Sequence, residues 1–491
     1  IRFPKDATPA FDFDPSKVHM WWMPGRKGLM GGILNLHGWH AKNLVNAGRV
    51  ASTADEISVT TTFVDCPMAA GPRRTVKFYL EPTPVKPKDL KLASVDETKR
   101  ITWTGHVCKF FEVKYPGFED PVPVKRFADE LKAGKRVFWY NGSSGVSPED
   151  PFWNWYRVEW HMKGLDYFAH EAPKTGRPSW RRGSWAYACL NSKSYFDYKV
   201  WGINWYLNDM CKDSKDLYFD LANPHLCRNE RHGCAWKDDF GRTMYDMAIL
   251  QTRELHKRVY RLVKAKNADG ALFGHVSCKM CPSGVFFDMI CASEGFAFSV
   301  VKNNYTYFDL YTPEVMESFF VPRAQEFVFS TSPQLLRARE CWAPHLYRTY
   351  DCNTPENVRA IRHVLAYTKI YDLIMDRGPH DREGWQFYRV DSEIRKLREG
   401  GVYSAFYLES EPLVSLSKPG PRQLWAWFAK GKDGVLIVLN DTDDAVEQTV
   451  SVKGLSAKGI ELLDKSTYDF TSGACSLKLA PREAKFIRLG R

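Results

Sequence analysis

The run Asp216-Leu-Tyr-Phe-Asp220 is a short apolar stretch closed by a carboxylate, and Asn223-Pro224 stops it soon after. A helical pattern follows: Met247, Leu250, Leu255, Val259 and Leu262 recur at roughly helical spacing, until Lys, Arg, Asn267 and Gly270 give a C-terminal signal. Ala271-Leu-Phe-Gly-His275 then reads as the next strand. Strand, long helix, strand is the repeat of a parallel sheet, because a parallel neighbour can be reached only by a crossover.

The same rhythm extends in both directions. Val137-Phe-Trp-Tyr140 is a strand ending at Asn141-Gly142. Val285-Phe-Phe-Asp-Met-Ile290 and Glu326-Phe-Val-Phe-Ser330 read as later strands. Thr354-Pro355-Glu356 is an N-cap, a proline at the first helical position and an acid, which predicts a helix to about Met375. The alternating region spans about 89–400 and carries neither GxGxxG nor a Walker pattern. The expected fold class is therefore α/β, a (β/α)8 TIM-type barrel with flanking antiparallel β-sandwich modules.

The flanks differ. Residues 1–88 read as part of a β-sandwich: Ile57-Ser-Val-Thr-Thr-Thr-Phe-Val64 is β-branched, Arg74-Thr-Val-Lys-Phe-Tyr-Leu80 alternates, and Glu81–Lys88, with three prolines, reads as a stiff linker. Residues 401–491 hold short strands between turns, among them Gln423–Phe428, Val435–Leu439, Thr449–Val452 and Ala484–Leu489, and read as a C-terminal β-sandwich.

Composition narrows the function. Apolar residues make up 44% of the 491, which excludes global disorder. Aromatics reach 14%, with 17 Trp and 23 Tyr, enough for a large core and also for flat platforms under sugar rings. The net charge of +11 is spread along the chain, and neither zinc-finger spacing nor a basic helix supports nucleic acid as a partner. An acidic or sulfated glycan suits a basic protein better, with Arg181, Arg182 and Arg228 in loops after predicted strands as its contacts. No apolar run approaches the length of a membrane span. The chain starts at Ile1 and shows no signal peptide, which suggests a processed or truncated chain; a periplasmic or extracellular bacterial location is expected. Its 12 Cys are even in number but sparse. Cys227 with Cys234, or Cys341 with Cys352, could close small loops. Cys278-Lys-Met-Cys281 lacks the second CxxC of a zinc site, so neither a metal nor any other cofactor is expected.

In a barrel the chemistry sits where strands end. Asp220 is the first candidate, with His275 on the next strand to orient it or touch a hydroxyl. Glu294 precedes Gly295 at a predicted strand exit and is preferred to Asp288, which could be buried support. Cleaving a glycoside takes an acid for the leaving oxygen and a nucleophile or base for the anomeric carbon, and Asp220 with Glu294 meets that demand. Tyr218, Trp236, Trp139 and Tyr140 supply aromatic surface for the sugar, with Asn191 and Arg228 as polar contacts. His37-Gly-Trp-His40 looks metal-like but precedes the barrel and reads as a structural loop. No GxSxG elbow or HExxH occurs.

The segments Cys189-Leu-Asn-Ser192, Leu217-Tyr-Phe-Asp220, His232-Gly-Cys234, Asp239-Phe-Gly241, Lys257-Arg-Val-Tyr260, Gly274-His275, Phe287-Asp288 and Ser293-Glu-Gly295 together resemble an uncharacterised bacterial family assigned as glycoside hydrolases. More distantly the chain is similar to the barrel enzymes of the endo-α-N-acetylgalactosaminidase group, in which an Asp ends strand four. That resemblance implies a nucleophile role for Asp220 and an acid/base on a later strand, matched by Glu294 or Asp288. A β-N-acetylgalactosaminidase family uses an adjacent Asp-Glu pair with substrate assistance; here Glu149-Asp150 falls in a loop, which departs from that pattern. The reading is a retaining glycoside hydrolase acting on a poly- or oligosaccharide. A non-catalytic glycan-binding barrel and a polysaccharide lyase using His275 and a Tyr are the alternatives.

Overall fold

The computed structural model describes most of the chain. The stretches outside it are chiefly 1–9, 103–127, 163–185, 297–305, 321–327, 332–353 and 376–383, with shorter runs that include 147–149, 278–281 and 293–295. The chain forms two compact units, residues 1–85 with 101–289, and residues 86–100 with 290–491.

The first unit opens with two three-stranded sheets. β1 (Ala10–Phe13), β4 (Gly48–Ser52) and β5 (Ile57–Thr61) pair in that order, as do β2 (Met20–Met23), β3 (Gly28–Ile33) and β6 (Phe78–Thr83). β6 runs into the segment expected to be linker: Pro82 lies opposite Leu29. A proline is tolerated there because β6 is an edge strand, with no partner beyond it that needs an amide proton.

The core of this unit is a sheet built around parallel strands. Its strands β7 (Arg100–Thr102), β8 (Arg136–Gly142), β11 (Asp216–Asp220) and β14 (Leu272–Ser277) lie in chain order. β8, β11 and β14 pair in parallel, with Tyr218 opposite both Tyr140 and Phe273. All five residues of β11 are buried, which explains a continuous apolar run where an antiparallel strand would alternate. Two short strands, β9 (Gly145–Val146) and β10 (Ala186–Tyr187), form a separate ladder. Helix α1 (Pro151–Trp160) starts on Asp150, which accepts the Phe152 amide proton. The adjacent acidic pair Glu149-Asp150 therefore ends in a helix cap.

Side chains along a strand alternate between faces, so the register fixes two sets. One face carries Phe138, Tyr218 and Phe273; the Phe273 ring meets the other two edge-on at 5.6 and 5.0 Å. The other face is covered by helices. Trp139 meets Tyr206, which continues α2 (Lys193–Trp205), at 4.9 Å, and Phe219 meets His256 of α3 (Ile249–Lys266) at 5.4 Å. Burial holds the His256 ring neutral, its pKa lowered to about 3. Ser143 lies within hydrogen-bonding distance of that ring, at 3.1 Å from Nε2. α3 stops at Asn267, where the backbone turns extended. Gly274 has a packing reason: a Cβ there would come within 2.8 Å of the Phe287 ring. Between β11 and α3 the hairpin β12 (Ala235–Lys237) and β13 (Thr243–Tyr245) is inserted.

The second unit continues the alternation with β15 (Met289–Ala292), β16 (Val328–Thr331) and β17 (Ile374–Met375), again in chain order, and β16 and β17 are parallel. Chain order is what successive right-handed crossovers produce. Within neither unit do the described strands of the parallel series close into a ring. Helix α4 (Pro355–Ile370) is capped by Thr354, which accepts the Asn357 amide proton. It ends before the expected Met375, because Asp372 takes a left-handed φ of 51° and its carboxylate is held by Lys88 at 2.5 Å and Arg398 at 3.0 Å. Arg398 is the last residue of α5 (Gly384–Arg398).

Residues 402–489 form two antiparallel sheets. One orders β18 (Val402–Ala405), β20 (Gln423–Lys430), β21 (Asp433–Asn440), β26 (Ala484–Leu489), β23 (Lys458–Glu461) and β24 (Thr467–Asp469). The other orders β19 (Val414–Leu416), β22 (Val446–Val452) and β25 (Ala474–Leu479). Trp425, Trp427, Leu436, Val438 and Ile487 of the first pack with Val450, Leu477 and Leu479 of the second in one apolar core. Burying each such side chain contributes roughly 1.5–3 kcal/mol.

Candidate active site

Asp220 closes β11 and is 8% exposed. On the neighbouring strand Phe219 stands opposite Gly274, which puts His275 one step further along and on the same face as Asp220. The two side chains meet: His275 Nδ1 lies 2.8 Å from Asp220 Oδ1. Towards an ionised carboxylate, which can only accept, Nδ1 would be the ring nitrogen that carries the proton. The Ala222 amide donates to the His275 carbonyl at 2.9 Å, which ties the turn after Asp220 to β14. Leu221, in between, adopts a left-handed φ of 48°. A carboxylate held in this way at the C-terminal end of a central parallel strand is where a parallel α/β sheet places its chemistry.

The opposite end of the sheet is closed by charge. Arg136 grips Asp216 with two bonds of 2.8 Å, and Asp216 also accepts the Ala271 amide proton at 2.7 Å. Asp288 belongs to this end. It lies in the turn before β15 rather than on a strand, since residues 282–286 form a 3-10 helix where a strand was expected. Its Oδ2 accepts from the Leu272 amide, at the start of β14, and pairs with Lys264 at 3.1 Å. Asp288 is thus a support for β14, three residues before His275, and not a partner for Asp220.

The aromatic candidates divide. Tyr218 shares the face of Asp220 but is 2% exposed and packs on Phe273 beneath the pair, so it offers no open platform to a sugar. Trp139 points to the helix-covered face, because it is an odd number of residues from Phe138 along β8. Tyr140 stands opposite Tyr218 in the register, and its side chain lies outside the described residues. Trp236 stacks on His37 at 3.7 Å. His40 bonds instead to Asp239 at 2.6 Å, with Arg74 on the same carboxylate, so the two histidines of the His37–His40 motif have separate structural partners.

The polar candidates are engaged elsewhere. Asn191 donates to Cys234 Sγ at 2.9 Å and lies 3.4 Å from Asp246. The exposed Arg228 lies over the Tyr245 ring at 5.0 Å. Glu294, Arg181, Arg182, Cys278, Cys281, Cys341 and Cys352 lie outside the described residues. Sequence reasoning missed one group: Cys189, Cys227, His232 and Cys234 bring their donor atoms within 4.8 Å of one another. Its signal was Cys227-(x)4-His232-x-Cys234, with the fourth donor 38 residues upstream.

No protein-family profile matches this chain, and no curated protein matches it in sequence. Among solved structures it is similar to an Anoxybacillus α-amylase at 12% identity and a TM-score of 0.44, covering 76% of this chain and 80% of that one. A noncanonic maltogenic α-amylase from Thermotoga neapolitana gives 9% and 0.45, covering 83% and 89%. A debranching enzyme from Nostoc punctiforme gives 12% and 0.42, covering 76% and 79%. Likenesses this slight carry no argument about the reaction of this chain.

Proposed function

We propose that this chain is a glycoside hydrolase in which Asp220 is the nucleophile, His275 its positioning partner and Glu294 the acid/base. The domain scheme that goes with it is an N-terminal β-sandwich portion, a (β/α) barrel and a C-terminal β-sandwich, acting on glycans outside the cytoplasm. One observation supports it above the others: the buried Asp220 carboxylate, bonded to His275 at 2.8 Å at the C-terminal end of a central parallel strand. The site resemblance supplies the reaction class.

In the proposed reaction an Asp220 oxygen forms a bond to the anomeric carbon as the glycosidic C–O bond breaks. The leaving oxygen takes the proton of the Glu294 carboxyl. Water then gives a proton to the Glu294 carboxylate and its oxygen to the anomeric carbon, which frees Asp220. The contact with His275 would hold the Asp220 carboxylate in one orientation towards the anomeric carbon. Substrates to be tried first are α-linked N-acetylgalactosaminides and sulfated glycans.

The test is a panel of neutral, N-acetylated and sulfated glycans, with product masses and anomeric configuration read for wild type and Asp220→Asn. The expected result is hydrolysis with retention by wild type, and a fall on the order of 10³-fold in Asp220→Asn, with its circular dichroism unchanged. Near-wild-type turnover by Asp220→Asn would overturn the assignment. Products absorbing in the ultraviolet would mark a lyase, and glycan binding without turnover would mark a binding protein.

A further inference from the structure

The geometry points to a structural zinc site formed by Cys189, Cys227, His232 and Cys234, which staples the loop leaving Asp220 to the turn that follows β10. Cys189 and Cys234 bring their sulfurs to 3.6 Å, and His232 Nδ1 is 3.2 Å from Cys234 Sγ and 3.9 Å from Cys227 Sγ. Around a tetrahedral zinc with bonds of about 2.3 Å to sulfur and about 2.0 Å to nitrogen, sulfurs stand roughly 3.8 Å apart and sulfur and nitrogen roughly 3.5 Å. These three separations lie close to the tetrahedral values, and all four donor atoms lie within 4.8 Å of one another. A disulfide would need its sulfurs at about 2.05 Å and would leave the third thiol over.

The surroundings also fit a metal. All three cysteines have 0% exposure. They lie in one apolar cluster with Met162, Tyr187 and Ala248. A cation among three sulfurs this close and out of water would offset the repulsion that thiolates there would feel. Donors aim at the sulfurs: the Asn229 amide reaches Cys227 Sγ at 3.4 Å, and Asn191 Nδ2 reaches Cys234 Sγ at 2.9 Å. Hydrogen bonds of this kind disperse the negative charge of metal-bound thiolates. The loop is built for its ligands. Gly233 takes a left-handed φ of 72°, which turns the chain between His232 and Cys234. Cys227 and Cys234 are each joined by backbone hydrogen bonds to Asp246, at 2.9 and 2.8 Å.

Ligand chemistry selects the ion. Soft thiolates with one imidazole in a tetrahedral set favour zinc over magnesium, calcium or manganese. Four protein ligands leave no open position, so the role is structural. Three of the ligands lie in the loop that begins at Leu221, directly after Asp220, and Cys189 anchors that loop to a separate segment. Loss of the metal would free the 227–234 loop from Cys189.

The experiment is metal analysis of the purified full-length chain from cells grown without added metal, together with thiol counting under native conditions. About one zinc per chain is expected. Removing it with a chelator should make three more thiols reactive and lower Tm, and Co²⁺ added back should give the visible absorption of tetrahedral thiolate coordination. Cys189→Ser and Cys227→Ser should each lose stoichiometric zinc, whereas Cys475→Ser, in the C-terminal sandwich, should keep it. Should the ligand variants fail to fold, the wild-type zinc content and cobalt spectrum still decide. Zinc far below one equivalent with no uptake after chelation, or peptide mapping that finds Cys189 disulfide-bonded to Cys234, would overturn the proposal. Metal content is read without any glycan, so its outcome is independent of the hydrolase reading.

Discussion

His275 Nδ1 and Asp220 Oδ1, 2.8 Å apart, join the C-terminal end of one parallel strand to its neighbour. The contact holds a carboxylate that is 8% exposed in one orientation. His275 is thereby a positioning residue. His275→Gln should lower kcat by roughly tenfold or more while moving KM little, since the reaction step and not ground-state binding depends on the carboxylate's orientation. Steady-state kinetics on the substrate found by the glycan panel checks this; a change confined to KM would place His275 in sugar binding instead.

Asp288 makes the opposite prediction. Its carboxylate holds the Leu272 amide at 3.0 Å and Lys264 at 3.1 Å, at the far end of β14. Asp288→Ala should cost about 1–3 kcal/mol of stability, the usual penalty for stranding a buried donor. The kcat of the folded variant should stay within a few-fold of wild type. Denaturant unfolding with parallel kinetics separates the two effects, and a loss of activity as deep as that of Asp220→Asn would return Asp288 to the reaction.

A buried network in the second unit sets acid stability. Asp441, 1% exposed, accepts from Tyr367 at 2.8 Å, Arg422 at 2.8 Å and Arg482 at 2.7 Å, and meets His363 Nε2 at 2.7 Å. Burial alone would raise its pKa, but bonds from His363, Arg422 and Tyr367 outweigh that and hold it at about 2. The unfolded value is about 3.9. The folded state therefore binds its proton less readily, and this contribution is complete above about pH 5 and lost as pH falls toward 2. Asp441→Asn should destabilise by about 1–3 kcal/mol at neutral pH, because the partly exposed Arg422 and Arg482 and the buried His363 and Tyr367 lose a charged acceptor. It should also flatten the fall in stability between pH 5 and 2. Chemical denaturation across that range measures both, and parallel pH profiles for variant and wild type would refute the role.

Much of this protein could be read along the chain because its signals are local. Asp216–Asp220 was recognisable as a buried parallel strand from a continuous apolar run, and the helix ending at Asn267 from periodicity and its polar stop. Thr354-Pro355 marked a helix start because a cap needs only adjacent residues. Whether a residue faces the helices or the other side of the sheet, by contrast, depends on register, which strand pairing sets. Trp139 and Tyr218 are equally aromatic and equally strand-like, yet pairing turns them to opposite faces. Asp288 read as a catalytic alternative because it adjoins an apolar run, and only packing showed that it serves the Leu272 amide. Likewise Cys227, His232 and Cys234 form a compact motif that is incomplete by itself. The fourth donor, Cys189, is supplied by a segment 38 residues upstream, and only the tertiary fold could bring it within bonding reach.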